Sequence, residues 1–443
     1  MTPPCLPEPF LQGLEPATRN RLLAAAAGWM GFLPGMELAE SAAAAAPREP
    51  APALLAGLVA LLGQTPTAQA AAASHLSTAM AAAERLDPWG LGLLEAAGLW
   101  QAGELGAALR RLERLGWEFP AAPLVLKIVE WLCYLRGQEL HGPRLLELAR
   151  WFRRHHGDHA DVLAIEAFAL ELGGALEEAE ATARTAIERR DLNPWADHTL
   201  MHALHRQGRL REAGRWVAQR ADGWLAAAPP MRLHNLWHGS LIALEAGLPD
   251  RARMALPAVA GPEGSGDLLD RIALAWRLEL AGSDASAVWP SLADALEALD
   301  PLPVVPFVAA HHGWCLARAG RSAALRRLFA AAAKLADDET GLEADWCWRP
   351  AGLAILRGVV ALARDDATAA LADLGPVRVW FGHAGGSDAQ NQVLHQSLLV
   401  AAARAGDRAL VRRLAEGLRG SRRRRTPLDR YWLTPGRSPG APS

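Results

Sequence analysis

The sequence is poor in the residues that build sheets. It holds two Tyr among 443 residues, and no stretch alternates apolar and polar residues in the two-residue rhythm of a half-buried strand. With Ala and Leu dominant, a β-rich fold is excluded and helix is favoured. Cysteine is scarce as well. Cys5, Cys133, Cys315 and Cys347 stand far apart with no CxxC pair, which argues against a zinc ribbon or a disulfide framework and predicts buried free thiols. There is no surplus of one charge: the formal net charge of −2 gives no field to attract nucleic acid or an anionic membrane. No apolar run reaches the roughly 20 residues that span a bilayer, and the first nine residues lack the basic start and apolar core of a secretory leader. Neither nucleic acid nor membrane is expected as a partner, and a reducing, cytoplasmic setting is. HExxH, GxSxG, a P-loop and GxGxxG followed by an acid are all missing.

What is present is a repeat. The hydrophobic fraction is 51% and the charged fraction 21%, ordinary values for a folded chain. Its length suits about three domains of roughly 150 residues or one elongated array. Apolar helical runs end at Gly103, Gly137, Gly174, Gly208, Gly247, Gly282, Gly320 and Gly406. Ala follows five residues later at Ala108, Ala179, Ala213, Ala252 and Ala287, while His141 to Pro143, Leu325 and Val411 replace that signal elsewhere. Most steps are 34 to 39 residues, and the longer gap before Gly406 predicts a turn without glycine near Asp365-Asp366. A helix–turn–helix unit at this period is the tetratricopeptide signature. Gly ends the first helix with φ > 0, the small Ala lets the second pack closely, and the bare apolar face of each pair forces neighbours to stack. The expected fold is all-α: a right-handed superhelix of antiparallel helix pairs, a tetratricopeptide-like solenoid.

The pairs read as 163–172 with 176–189, 194–206 with 210–220, 233–246 with 250–258, and 267–281 with 284–299. Asn193 followed by Pro194 is a helix start. Three parts are expected: a partly helical or flexible lead-in over 1–60, Ala- and Pro-rich at 41–55; a repeat domain over 61–415; and a basic, Pro/Gly-rich, disordered tail over 416–443. The run Arg422 to Arg425 can bind phosphate, but a solvated tail is the plainer expectation.

The informative residues are histidines. His198 and His202 are four apart, as are His234 and His238, so each pair shares a helix face and has the spacing to grip one metal ion. The pairs lie 36 residues apart, each in the helix before a turn glycine. Stacked first helices about 10 Å apart would bring four imidazoles to one groove. His205 lies one turn further along, His311 repeats the position of His238, nine before its turn glycine, and His395 matches loosely. The plainer alternative is a core or groove imidazole that only hydrogen-bonds. Neutral rings would make a groove pH-sensitive near 6.5.

Trp195, Trp216, Trp224, Trp237, Trp276 and Trp289 crowd the same third of a chain with 17 Trp. Most are expected to wedge between helices, an aromatic-lined apolar pocket being the alternative. The His155-His156-Gly157-Asp158-His159 run reads as a helix end rather than a metal site. Gly385-Gly386-Ser387 precedes a helix that Ser387 or Asp388 would cap; such a turn can also hold an anion, but the P-loop Lys is missing.

These residues together resemble the tetratricopeptide repeat protein 38 family. The matching stretches are Ala167-Phe168-Ala169-Leu170-Glu171 with Ala179-Glu180; Trp195-Ala196-Asp197-His198 with His202 and Gln207-Gly208-Arg209; His234-Asn235-Leu236-Trp237-His238; Trp276-Arg277-Leu278-Glu279-Leu280; His311 with Ala319-Gly320-Arg321; and Gly385-Gly386-Ser387 with Ala389-Gln390. The resemblance covers about 85 to 410. It implies a helical-repeat fold, a mostly cytosolic setting and no settled reaction. This chain departs from the family at Asn391-Gln392, where Arg-Asp is expected, at His205-Arg206, and in its poly-Ala start. If the Arg-Asp pair serves the family's activity, that activity is lost or altered here.

Two functions follow as expectations. One is a binding module that holds a protein, peptide or small-molecule ligand in a concave groove lined by Trp195, His198, His202, His234, Trp237, His238 and His311. The other is an enzyme with Zn or Fe on His198, His202, His234 and His238, acting on a small molecule.

Overall fold

A computed structural model of the chain describes residues 5–254, 256, 265–338, 344–420 and 426–433. The Arg422 to Arg425 run lies outside them. The described residues are helical throughout, with no strand among them. No described helix is long and apolar enough to cross a membrane.

The turn glycines organise this all-α helical repeat. All eight take φ between 70 and 92°, the left-handed region that carries a side-chain penalty for other residues. At Gly208 the glycine N–H donates to His205 O at 2.8 Å and the next N–H, of Arg209, reaches back to Leu204 O at 2.9 Å. This is the Schellman closure, which satisfies carbonyls that a helix end otherwise leaves orphaned. The same pair of bonds closes the turns at Gly103, Gly174, Gly247, Gly282, Gly320 and Gly406. The glycine-free turn falls where the spacing predicts it. Helices Leu353–Ala363 and Ala367–Val377 are joined through Asp365, which takes φ 63° itself and makes the same two bonds.

Helix starts carry a second device. Helices begin on Pro16, Pro50, Pro66, Pro88, Pro194, Pro229, Pro249, Pro306 and Pro427, where the missing N–H costs nothing and φ is already set. The spacing places the pairs 176–189, 194–206 and 210–220 to the residue. It misplaces the start of the helix at 284: a short 3₁₀ turn, Ser286–Val288, precedes Trp289–Leu299, so Ala287 is exposed and Trp289 and Ala293 fill the pair instead.

The chain forms two compact units, one of 1–136, 140–199 and 223–231, the other of 137–139, 200–222 and 232–443. In the first, successive helices from Pro16–Gly31 to Leu124–Leu135 each pack on the next, as do Ala160–Leu172 and Leu176–Arg189. Residues 41–55 belong to this body: they lie mostly in helices Leu38–Ala45 and Pro50–Leu61, and Leu54 and Leu55 are fully buried.

In the second unit the first helices of successive pairs, Ser265–Leu280, Pro306–Arg318, Leu353–Ala363 and Asp388–Arg404, line up side by side. This row closes on itself, because Asp388–Arg404 also packs against Ser265–Leu280. Arg277 pins the closure. Its Nη2 donates to Ala389 O and Gln390 O, each at 2.8 Å. The turn leading into Asp388–Arg404 is held by Phe307 N donating to Ala384 O at 2.8 Å, and Gly386 lies so close that an added Cβ would sit 3.0 Å from the Phe307 ring. Tryptophans fill the core: Trp237 and Trp276 are fully buried, and Trp289 nearly so with its N–H on Glu279 at 2.7 Å.

Candidate functional site

Helices Pro194–Arg206 and Pro229–Glu245 carry the four histidines singled out by spacing. In the second unit His202, His234 and His238 come together in a line. His238 Nε2 lies 3.1 Å from His234 Nε2 and 3.2 Å from His202 Nε2. The line ends on carboxylates that sequence reasoning did not assign to it. His234 Nδ1 lies 2.8 Å from Asp270 Oδ2, and His202 Nδ1 lies 3.8 Å from Asp388 Oδ1, whose other oxygen is 3.6 Å from Arg206 Nη1.

Each member is placed by a feature already described. The i, i+4 pair His234 and His238 shares one helix face. His202 comes from one repeat earlier, and Asp270 from one repeat later, on Ser265–Leu280. Asp388 arrives through the closure of the row. Trp237 stacks on His234 at 5.3 Å between ring centroids, and the Arg277 guanidinium lies 5.3 Å from the Trp237 ring, which fixes the indole that orients His234. Exposure rises along the line, from 2% of the His202 side chain to 20% of that of His234, so His234 is the end open to solvent.

Asp267, one turn before Asp270, is pushed up to about 6, first by burial and then by the neighbouring Asp270 carboxylate. The line is therefore flanked by a carboxyl group poised near neutrality, an uncommon state that functional sites often arrange.

The other sequence candidates have aromatic neighbours of their own. In the first unit His198 stacks on Trp195 at 4.4 Å and meets Phe168 at 5.4 Å. Trp195 donates to Glu130 Oε1 at 2.8 Å, beside the buried Lys127–Glu130 ion pair. Trp224 donates to Asp197 Oδ2 at 2.7 Å. These three indoles and rings act as packing and hydrogen-bonding elements of that unit. In the second unit His311 is fully buried between Phe307 and Trp276, its Nδ1 donating to Phe307 O at 2.8 Å, and burial holds it down at about 3. It repeats the position of His238 in its helix while its neighbours are aromatic rather than imidazole. His395 is likewise held at about 4 by burial.

The Gly385-Gly386-Ser387 turn works as a helix cap. Ser387 Oγ accepts from Gln390 N at 3.2 Å and Gln390 Oε1 from Ser387 N at 3.2 Å, the reciprocal capping box. Asn391 donates to Gly385 O at 2.7 Å, and Gln392 lines a small cavity with His205, Glu245 and Arg277. His205 and Gln392 thus meet at one place. A larger cavity of about 230 Å³ lies at the turn end of this unit, beside Trp314. Two of its acids are engaged by its own bases, Arg318 with Glu279 at 2.9 Å and Arg404 with Asp365 at 3.1 Å. The four cysteines are buried and none forms a disulfide. Burial lifts the Cys5 and Cys315 thiols to about 12 and Cys133 higher still, so none of these three is a ready nucleophile.

No known family profile matches the chain. A solved structure described as Naa15/Naa10 bound to HypK-THB aligns with 94% of this chain and 64% of that one, at 16% identity and a TM-score of 0.26. This chain thus spans less than two thirds of that protein's length, and a superposition this loose carries no argument about function.

Proposed function

We propose that the chain is a helical-repeat binding protein whose recognition site is the histidine line of the second unit, and that it is a cytoplasmic member of the tetratricopeptide repeat protein 38 family. The observation that carries the site is the run Asp270–His234–His238–His202–Asp388, two carboxylates backing three imidazoles. Three rings and two acids taken from water are expensive to bury, and nothing in the packing of a helical repeat requires them there. A ligand that engages the open His234 end recovers that cost. Trp237 supplies an aromatic wall beside it. A protein, a peptide or a small molecule is the ligand class. Buried thiols, none in a disulfide, support the reducing setting.

Native mass spectrometry of the purified chain tests this. The expected result is a bound species that His202→Ala and His238→Ala both release while circular dichroism stays unchanged. A species retained by both variants would place binding elsewhere, and a bare chain under varied expression conditions would count against a resident ligand. A second reading, a His-ligated metal-dependent enzyme acting on a small molecule, draws on the short Nε2–Nε2 separations. There an ion would polarise a carbonyl or activate water.

A further inference from the structure

The geometry points to a divalent transition-metal ion as the occupant of the line, held by His234 and His238. The inference rests on the reading of this line as a binding site.

The tautomers carry the argument. A carboxylate only accepts hydrogen bonds, so His234 donates through Nδ1 to Asp270 at 2.8 Å, and its neutral ring presents a lone pair at Nε2. That lone pair faces His238 Nε2 at 3.1 Å, while His238 Nε2 also faces His202 Nε2 at 3.2 Å. One nitrogen carries either one proton or one lone pair. Among neutral rings, at least one of the two contacts therefore falls short of a full hydrogen bond. A cation between His234 Nε2 and His238 Nε2 makes the contact of those two lone pairs favourable.

The spacing fits the ion. Two imidazoles on one tetrahedral centre, at about 2.0–2.1 Å each, hold their nitrogens about 3.3–3.4 Å apart, close to the 3.1 Å between His234 Nε2 and His238 Nε2. Asp270 supplies the outer carboxylate that typically orients a metal-bound imidazole through its other nitrogen. A donor set of imidazoles selects Zn²⁺, Cu²⁺, Ni²⁺ or Fe²⁺ over Mg²⁺ or Ca²⁺. The half-open His234 ring gives an entry path, and Trp237 shields the other side of that ring.

The experiment loads the full chain with Zn²⁺, removes the excess, and measures metal content and affinity by competition with a chromophoric chelator, with Co²⁺ as a spectroscopic substitute. The expected result is one Zn²⁺ per chain, lost at least about 100-fold in affinity in His238→Ala and in His234→Gln, and weakened about 10- to 100-fold in Asp270→Asn. Co²⁺ should show visible bands of a nitrogen-rich tetrahedral site, absent from His234→Gln. Should His238→Ala misfold, His234→Gln decides alone, because that ring is the least buried of the three. A chain that retains no Zn²⁺, or binds it equally well in both variants, overturns the inference. If Zn²⁺ is not retained but a species released by His202→Ala and His238→Ala is seen in native mass spectra, the binding site stands and only the metal falls.

Discussion

Acid should destabilise the second unit strongly, and three histidines set the size of the effect. His311 and His312 are buried and His395 is half-buried, and all three are held well below their ordinary 6.5, at about 3, 4 and 4. Burial is the leading cause in each case, since an imidazolium there would lose its hydration. In the unfolded chain each ring takes up a proton near 6.5. Below that pH the unfolded state binds more protons, so stability falls as pH falls and goes on falling until the folded-state value is reached. One pH unit is worth about 1.4 kcal/mol per ring, so at pH 5 each ring has cost roughly 2 kcal/mol and the three together roughly 6 kcal/mol. Asp267 works the other way. Its folded value, about 6, lies above its ordinary 3.8, so its carboxyl is uncomfortable at neutral pH and returns roughly 1 kcal/mol as pH drops to 5. A net loss of about 5 kcal/mol is large against the total stability of a typical domain. Urea unfolding at pH 7 and pH 5, followed by tryptophan fluorescence, reads it directly. His312→Leu should remove about a third of the histidine effect, because burial is the only cause of that shift. Equal midpoints at both pH values, or an unchanged pH difference in His312→Leu, would refute the reasoning.

Turn chemistry gives two further tests. Asp365→Gly should stabilise the protein by up to about 1 kcal/mol, since the aspartate holds φ 63° at a cost that glycine avoids and its ion pairs are exposed. Gly320→Ala should destabilise by about 1–2 kcal/mol through backbone strain alone, since no atom lies within 4 Å of the added Cβ. Both are read as shifts in the denaturant midpoint. In the first unit, Lys127→Met should cost about 3–5 kcal/mol by leaving Glu130 buried without its partner; a change below 1 kcal/mol in urea unfolding would contradict that. Ser387→Ala should lose about 1 kcal/mol of helix capping, again measurable by urea unfolding.

Much of the fold is legible in the chain because its signals are local. A glycine every 34 to 39 residues dictates a left-handed turn whatever surrounds it, and even the glycine-free turn at Asp365 follows from the period. Of the proline helix starts only Pro194 was read from the sequence, although Thr65 before Pro66 and Asp87 before Pro88 are caps of the same kind. The site was half legible. The i, i+4 pairs and the 36-residue repeat distance bring His202 and His238 together, and the same distance from His234 leads to Asp270, a signal hidden by attention to one residue type. Asp388 was not legible as part of the line. It arrives through the packing of Asp388–Arg404 on Ser265–Leu280, a long-range closure that no period encodes. His311 shows the converse. It holds the register of His238, yet Phe307 and Trp276 surround it, because register fixes direction along a helix and not the chemistry of the neighbours.

The contact between imidazoles from successive repeats underlies the whole account, and a double-mutant cycle on His202 and His238 measures it most directly. With urea unfolding of the wild type, His202→Ala, His238→Ala and the double variant, an interaction energy of about 0.5–3 kcal/mol of either sign is predicted for rings 3.2 Å apart. Stability changes that simply add, within about 0.3 kcal/mol, would contradict it.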